Sequence, residues 1–285
     1  MSFTRVVRFG FSAMVVLAGT LTTAPAWAQD APPPVVVTGG LDLVNQYNFR
    51  GIRQNTDGVS VWPYVDFGFT PFRGEGGLKT VGINVGTWNA FNSQIDDFTN
   101  LDGETTSNKW YESDLYATVA FGLGTTALGM TYTSYTSPAN LFTHVKELAF
   151  KVSFDDTAAL GTAALKPYAL IALELATDPG RGQADGGLEA GRYLELGVAP
   201  GISGARASFS LPVKVGLSVG DYYELNGVDN KFGFFSVGGL VTVPAGAHVN
   251  VHGGVEFQAL GDTTEALNDG DGSQVIGSIG LGFAF

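Results

Sequence analysis

The stretch Val249-Asn250-Val251-His252-Gly253-Gly254-Val255-Glu256-Phe257-Gln258 decides the fold class. Val249, Val251, Val255 and Phe257 share one parity, while His248, Asn250, His252, Glu256 and Gln258 share the other. Consecutive side chains of a strand point to opposite faces, so this segment has one apolar face and one polar, partly charged face. The next segment repeats the pattern, with Val275, Ile279, Leu281, Phe283 and Phe285 set against Gln274, Ser278, Gly280, Gly282 and Ala284. Further back, Leu148, Phe150, Val152 and Phe154 alternate with Glu147, Lys151, Ser153 and Asp155. A soluble sandwich would alternate too. Long strands with a polar face this rich in charge, in a chain that is 45% hydrophobic, instead fit a barrel whose apolar face meets lipid.

Extended over the whole chain, the same reading gives about twelve strands, at 41–51, 59–70, 78–90, 109–122, 126–136, 144–155, 164–177, 188–199, 206–219, 230–243, 248–259 and 274–285. Their lengths suit tilted membrane strands, and an even number returns both ends of the barrel to one side. Links after even-numbered strands are short and marked by Gly or Pro, as at Pro71 to Gly77 and Pro244 to Ala247. Links after odd-numbered strands include the longest, Phe91 to Asn108 and Leu260 to Ser273. The predicted fold is therefore all-β, a closed antiparallel transmembrane β-barrel with short periplasmic turns and longer extracellular loops.

Composition and the first residues agree with that compartment. Arg5 and Arg8 precede an apolar run from Phe9 to Leu21, too short to span a bilayer, and Ala26-Trp27-Ala28 offers a cleavage point. Residues 1–28 are thus expected to be a secretory signal peptide, 29–40 a Pro-rich periplasmic leader, and 41–285 an outer-membrane β-barrel. The chain has no cysteine, so no disulfide can hold the domain. Its formal charge of −12 argues against nucleic acid as a partner. No later apolar run is long enough for a membrane helix, and closed barrels are the other structure that satisfies backbone groups in lipid.

Parity then assigns the interior. Asp42, Asp66, Glu112, Asp114, Glu147, Glu174, Glu189, Glu195 and Glu256 are expected to face inward, against Arg50, Lys151, Lys166 and Lys214, with His248 and His252 on the same wall. His248, His252 and Glu256 are four residues apart, about 13 Å in a strand, which prevents joint ligation of one metal. No cofactor or metal is expected. The loop from Phe91 to Asn108 carries Phe91, Ile95, Phe98 and Leu101 beside Trp88, Trp110 and Tyr111, so it is expected to fold into the mouth and aim Asp96 and Asp97 at the path. Acidic clusters at Asp96, Asp97, Asp102 and Glu104, and at Asp262, Glu265, Asp269 and Asp271, could hold divalent cations, although solvated carboxylates are commoner. A barrel hydrolase needs serine and histidine at the lipid-facing surface, and His144 stands at a strand edge with no Gly-rich serine motif beside it.

Two stretches carry a likeness to known proteins. Asn45-Gln46-Tyr47-Asn48-Phe49-Arg50-Gly51-Ile52-Arg53-Gln54, followed by Pro63-Tyr64-Val65-Asp66-Phe67-Gly68, resembles the opening strand pair of the TorF-type porins, the Gcw_chp-like outer-membrane barrels. The terminal Phe283 and Phe285, with Leu281 and Ile279 at alternate positions, resemble the signal read by the barrel-insertion machinery. The family resemblance implies a barrel that passes small solutes, with no catalytic residue to carry over. From these readings the expected function is a porin-like channel for small hydrophilic solutes or ions, weakly cation-preferring, surrounded by outer-membrane lipids and lipopolysaccharide. A plugged structural or interaction barrel and an outer-membrane hydrolase stay open as alternatives.

Overall fold

A computed structural model describes residues 35–55, 58–93, 97–175 and 190–285. Twelve strands form the wall: β1 Val36–Val44, β2 Ser60–Arg73, β3 Thr80–Asn92, β4 Trp110–Leu123, β5 Thr126–Thr136, β6 Val145–Phe154, β7 Tyr168–Leu175, β8 Arg192–Val198, β9 Val213–Gly220, β10 Phe232–Pro244, β11 Val249–Leu260 and β12 Ser273–Ala284. Each pairs antiparallel with its neighbours in chain order, and β1 closes the ring on β12 through the register Thr38 to Ala284 and Leu41 to Leu281. Reciprocal backbone hydrogen bonds of 2.9 Å between Val37 and Phe285 finish the seam. A closed ring leaves no unpaired strand edge.

The polarity of the wall is inverted relative to a soluble protein. Leu115, Val255 and Ile279 are 64%, 58% and 57% exposed on the outside, whereas Glu112, Glu195 and Ser236 are buried within. Removal of that outer apolar surface from water requires lipid, so the chain crosses an outer membrane with its strands. No helix among the described residues is long and apolar enough to cross a membrane.

Local chemistry sets the strand ends. The wall begins at Val36, five residues before the expected Leu41, because β-branched Val36, Val37 and Thr38 extend the strand through Gly39 and Gly40. Those glycines look like breakers in sequence. Here they make room for aromatic rings, since a Cβ on Gly40 would lie 2.5 Å from the Tyr64 hydroxyl and one on Gly39 would lie 2.5 Å from the Phe283 ring. The ninth expected strand is interrupted at Leu211-Pro212, with Ser208–Ser210 pairing β10 as a separate piece. The turn after β6 holds two short helical pieces, Thr157–Leu160 and Gly161–Ala163. Backbone amides of Lys166 and Leu165 bind the Asp156 carboxylate there at 2.9 and 3.0 Å, holding it below the usual carboxylate range.

Both ends of the described chain lie at the end of the barrel with the shorter turns. The opposite end carries three ribbons, Asn48–Phe49 with Ile52–Arg53, Asp97–Thr99 with Thr105–Ser107, and Glu224–Leu225 with Val228–Asp229. The first of these dominates the interior.

Candidate functional site

The expected first strand, 41–51, does not run on past Val44. Asn45 ends it by turning its amide group onto β12, where Gly277 N donates to its Oδ1 at 2.7 Å. The chain then enters the barrel and reverses in a two-residue turn. Phe49 pairs with Ile52, and the residues between, Arg50 and Gly51, have φ of 47° and 87°. Two successive residues in the left-handed region match a type I′ turn, whose hand fits a tight hairpin. Glycine suits position 51 for a second reason: a Cβ there would press on Phe234 at 3.1 Å.

This hairpin is built of bulky side chains that lie entirely inside. Tyr47, Phe49, Arg50 and Ile52 are all buried. The Tyr47 ring packs on Trp62, Trp88 and Tyr111 with centroids 5.5, 6.0 and 5.8 Å away, and its hydroxyl donates to Glu112 at 2.5 Å. Arg50 reaches β6, where its guanidinium meets the Glu147 carboxylate at 2.7 Å. The same guanidinium lies 4.0 Å from the Tyr193 ring centroid and 4.8 Å from those of Phe49 and Tyr222. Tyr223 donates to the Arg50 carbonyl at 2.8 Å, and Tyr135 to Glu147 at 3.3 Å. A carboxylate and a set of π faces together replace the water that a buried guanidinium loses.

The hairpin's returning strand is held by the last loop, 261–272. Asn268 accepts from Arg53 N through its Oδ1 at 2.7 Å and donates from its Nδ2 to the Gly51 carbonyl at 2.7 Å. The Arg53 guanidinium spans Asp269 at 2.8 Å and Asp271 at 2.9 Å. Gln274 of β12 also donates to Gly51 O at 3.0 Å and meets the Gln46 side chain. Two of the acids considered for divalent cations thus hold an arginine instead. Among the described residues no three acidic or histidine side chains converge as a metal site.

Nearer the turn end the wall side chains pair with one another. His252 Nε2 meets Asp42 at 2.6 Å while its Nδ1 meets Asn250 at 3.0 Å. Lys214 lies 3.3 Å from Glu256, which also accepts from Gln258 at 2.9 Å. Lys151 sits 3.8 Å from the Tyr168 ring centroid, and the Tyr168 and Tyr193 hydroxyls both donate to Glu195 at 2.8 Å. Here Tyr168, Lys151, His252, Thr118 and Thr131 are half-buried, with the Lys151 ammonium itself buried over the Tyr168 ring.

Asp42, Asp66, Glu112, Asp114, Glu147, Lys151, Glu174, Glu195, Lys214, His252 and Glu256 all stand on the inner face of the wall, with Glu174 accepting from Gly191 N at 2.7 Å near the loop end. Arg50 is inside, but on the hairpin. Lys166 lies in the turn before β7, and Glu189 is outside the described residues. His248 is a correction: it precedes β11, is exposed at the rim, and stacks on Phe285 at 4.9 Å. The loop expected to narrow the mouth is a second correction. Asp97 and Phe98 are exposed, Leu101 N donates to Asn140 O at 3.0 Å in the adjacent loop, and Trp88 and Tyr111 pack on Tyr47 instead; Asp96 lies outside the described residues. Sequence reading missed Tyr47, Arg53, Asn268, Tyr193, Tyr222 and Tyr223, and the one signal that could have found the turn is the Arg50-Gly51 dipeptide.

No family model and no curated protein sequence matches the chain. Solved structures resemble it in fold. An outer membrane channel from Pseudomonas putida F1 aligns over 92% of this chain and 100% of its own, at 11% identity and a TM-score of 0.50. The translocator domain of the autotransporter NalP from Neisseria meningitidis covers 99% of this chain and 96% of its own, at 12% identity and a TM-score of 0.44. The Salmonella typhi outer membrane phospholipase covers 90% and 94%, at 13% identity and a TM-score of 0.43. The likeness to the Pseudomonas channel is one of architecture, a closed antiparallel barrel of the outer membrane.

Proposed function

We propose that this chain is an outer-membrane channel for ions or small hydrophilic solutes, of the TorF type, whose passage is set by the inward hairpin Asn48–Arg53. The supporting observation is the division of the interior. Charged and hydroxyl side chains line the wall toward the turn end, and a hairpin secured by polar contacts fills the loop end. An apolar plug would make a permanent stopper. This one joins the aromatic packing of Tyr47 and Phe49 to a buried ion pair and amide hydrogen bonds, and the polar part can be replaced by an alternative polar arrangement. Solutes would diffuse along the wall, with the excess of inward carboxylates lowering the energy of cations.

In this reading residues 1–28 direct export and are removed, 29–35 lead into the wall, and the turn end faces the periplasm. Lipopolysaccharide surrounds the loop end, and the Phe283 and Phe285 terminus engages the insertion machinery. Planar-bilayer recording of the purified barrel tests the function: stepwise conductance is expected, larger when Gln46–Gln54 is replaced by a Gly-Ser link. Silence of both proteins would overturn it and leave the plugged structural barrel, the reading that complete burial of Tyr47, Phe49 and Arg50 favours.

The hydrolase reading rests on a different contact. Ser134 Oγ and His144 Nε2 lie 2.7 Å apart on the outer surface, where β5 leaves the apolar belt. That is a nucleophile and a base in reach of lipid esters. Labelling of Ser134 by a fluorophosphonate probe would support it; a probe that leaves the native barrel unlabelled removes it.

A further inference from the structure

The hairpin has two charged anchors that differ in access to solution, and that difference assigns them different roles. The inner anchor, Arg50 with Glu147, has side chains 0% and 1% exposed. The outer anchor joins Arg53, 15% exposed, to Asp269 and Asp271, which are 81% and 59% exposed. Salt in the external medium screens the second and scarcely reaches the first.

We propose that loop 261–272 is a latch, operated from the loop side of the barrel, that governs release of the hairpin; the proposal rests on the channel reading for its consequence but not for its mechanism. The latch is anchored at its base. The helix Asp262–Ala266 is held by Thr264 Oγ1, which lies 2.5 Å from the Gly233 carbonyl, and by a 2.6 Å bond from Asn230 to Thr263. From that base the loop presents Asn268 inward and Asp269 and Asp271 to the rim, with Asp269 and Gly270 at φ of 61° and 86° making the reversal. Asn268 bonds the turn and the returning strand, at Gly51 O and Arg53 N, so movement of this loop removes two of the contacts that hold the segment just after the Arg50-Gly51 turn and leaves Gln274 on Gly51 O. Raised ionic strength weakens the two carboxylate contacts of Arg53 and leaves the Arg50 pair intact. The hairpin then loosens first at its returning strand. The inner pair defines where the hairpin reseats.

The chain contains no cysteine, so a single introduced thiol reports the motion. Ile52→Cys, at a position now 4% exposed, is reacted with an uncharged, membrane-impermeant maleimide in the folded, detergent-solubilised barrel, with heat-modifiable gel mobility confirming the fold. Labelling is expected to quicken about fivefold between low and high salt, the scale of two partly exposed ion pairs. In an Asp269→Asn, Asp271→Asn background it should be fast at low salt and indifferent to salt. Labelling that ignores salt, or that follows salt equally in the folded double variant, overturns the latch. Open probability in bilayers separates the two ideas. Salt-controlled labelling without any conductance keeps the latch and removes the channel, whereas steady conductance with flat labelling keeps the channel and removes the latch.

Discussion

Arg50 and Glu147 stand 97 residues apart in the chain and meet at 2.7 Å inside the barrel, joining the first inward hairpin to β6 on the wall. Breaking one partner leaves the other charge buried, which is far worse than replacing both with neutral groups. Arg50→Met and Glu147→Gln should each lower stability by about 3–5 kcal/mol. The combined variant should recover much of that loss. The check is the temperature at which each folded barrel converts to the unfolded gel form; a double variant as weak as the sum of the singles would show that the pair is not coupled.

How much of this was legible from sequence differs between the wall and its contents. The wall is written in parity: Val249 to Gln258 and Glu147 to Phe154 give their faces directly, and the expected 126–136 coincides with Thr126–Thr136. Asn45 to Gln54 is written in another code. Tyr47, Phe49 and Gly51 share a parity, so the stretch reads as a continuation of β1 even though its apolar residues turn inward. What redirects it is a left-handed pair that arginine rarely enters, stabilised by partners at Glu147, Tyr193 and Asn268 far along the chain. Tertiary contacts of that range leave no local periodicity. The expected loop constriction fails for a related reason: Trp88 and Tyr111 are among the aromatics on which the loop is expected to bury Phe98, and Tyr47 packs on them instead.

Ion preference follows from the charges that line the inner face of the wall. Asp42, Asp66 and Asp114 line β1, β2 and β4, while Lys151 and Lys214 face them from β6 and β9, each beside a glutamate or tyrosine. A modest cation preference is expected at low salt, fading as the Debye length falls below about 10 Å near 0.1 M. Asp66→Asn should reduce it and Lys151→Gln should increase it. Reversal potentials under a salt gradient measure both, and anion selectivity in the unmodified barrel would sink the assignment.

Phe285 packs little against the finished wall, and the role proposed for it is in assembly. Its ring is 61% exposed and stacks on His248, while the seam itself is held by backbone bonds to Val37 that any residue could make. Phe285→Ala should therefore lower the yield of folded barrel in membranes and leave the unfolding temperature of what does fold within a few degrees. A normal yield would remove the proposed role of the terminus in insertion.

The last prediction separates the two loops that could set conductance. The ribbon Asp97–Ser107 is tied to its neighbour by Leu101 N to Asn140 O and by Asn140 Nδ2 to Asp102 at 2.7 Å, contacts on the exposed face. Its Phe98 is 43% exposed, so the ribbon contributes no large ring to the packed interior. Replacing 97–107 with a short Gly-Ser link should leave single-channel conductance and selectivity unchanged. Replacing Gln46–Gln54 in the same way removes Tyr47, Phe49, Arg50 and Ile52 from the interior at once, uncovering Trp62, Trp88 and Glu147 to the lumen. Conductance should rise several-fold, and the freed Glu147 carboxylate should add to cation preference. If the ribbon replacement raises conductance as much as the hairpin replacement does, the narrowest point lies at the mouth, and the interior hairpin is a scaffold for the wall.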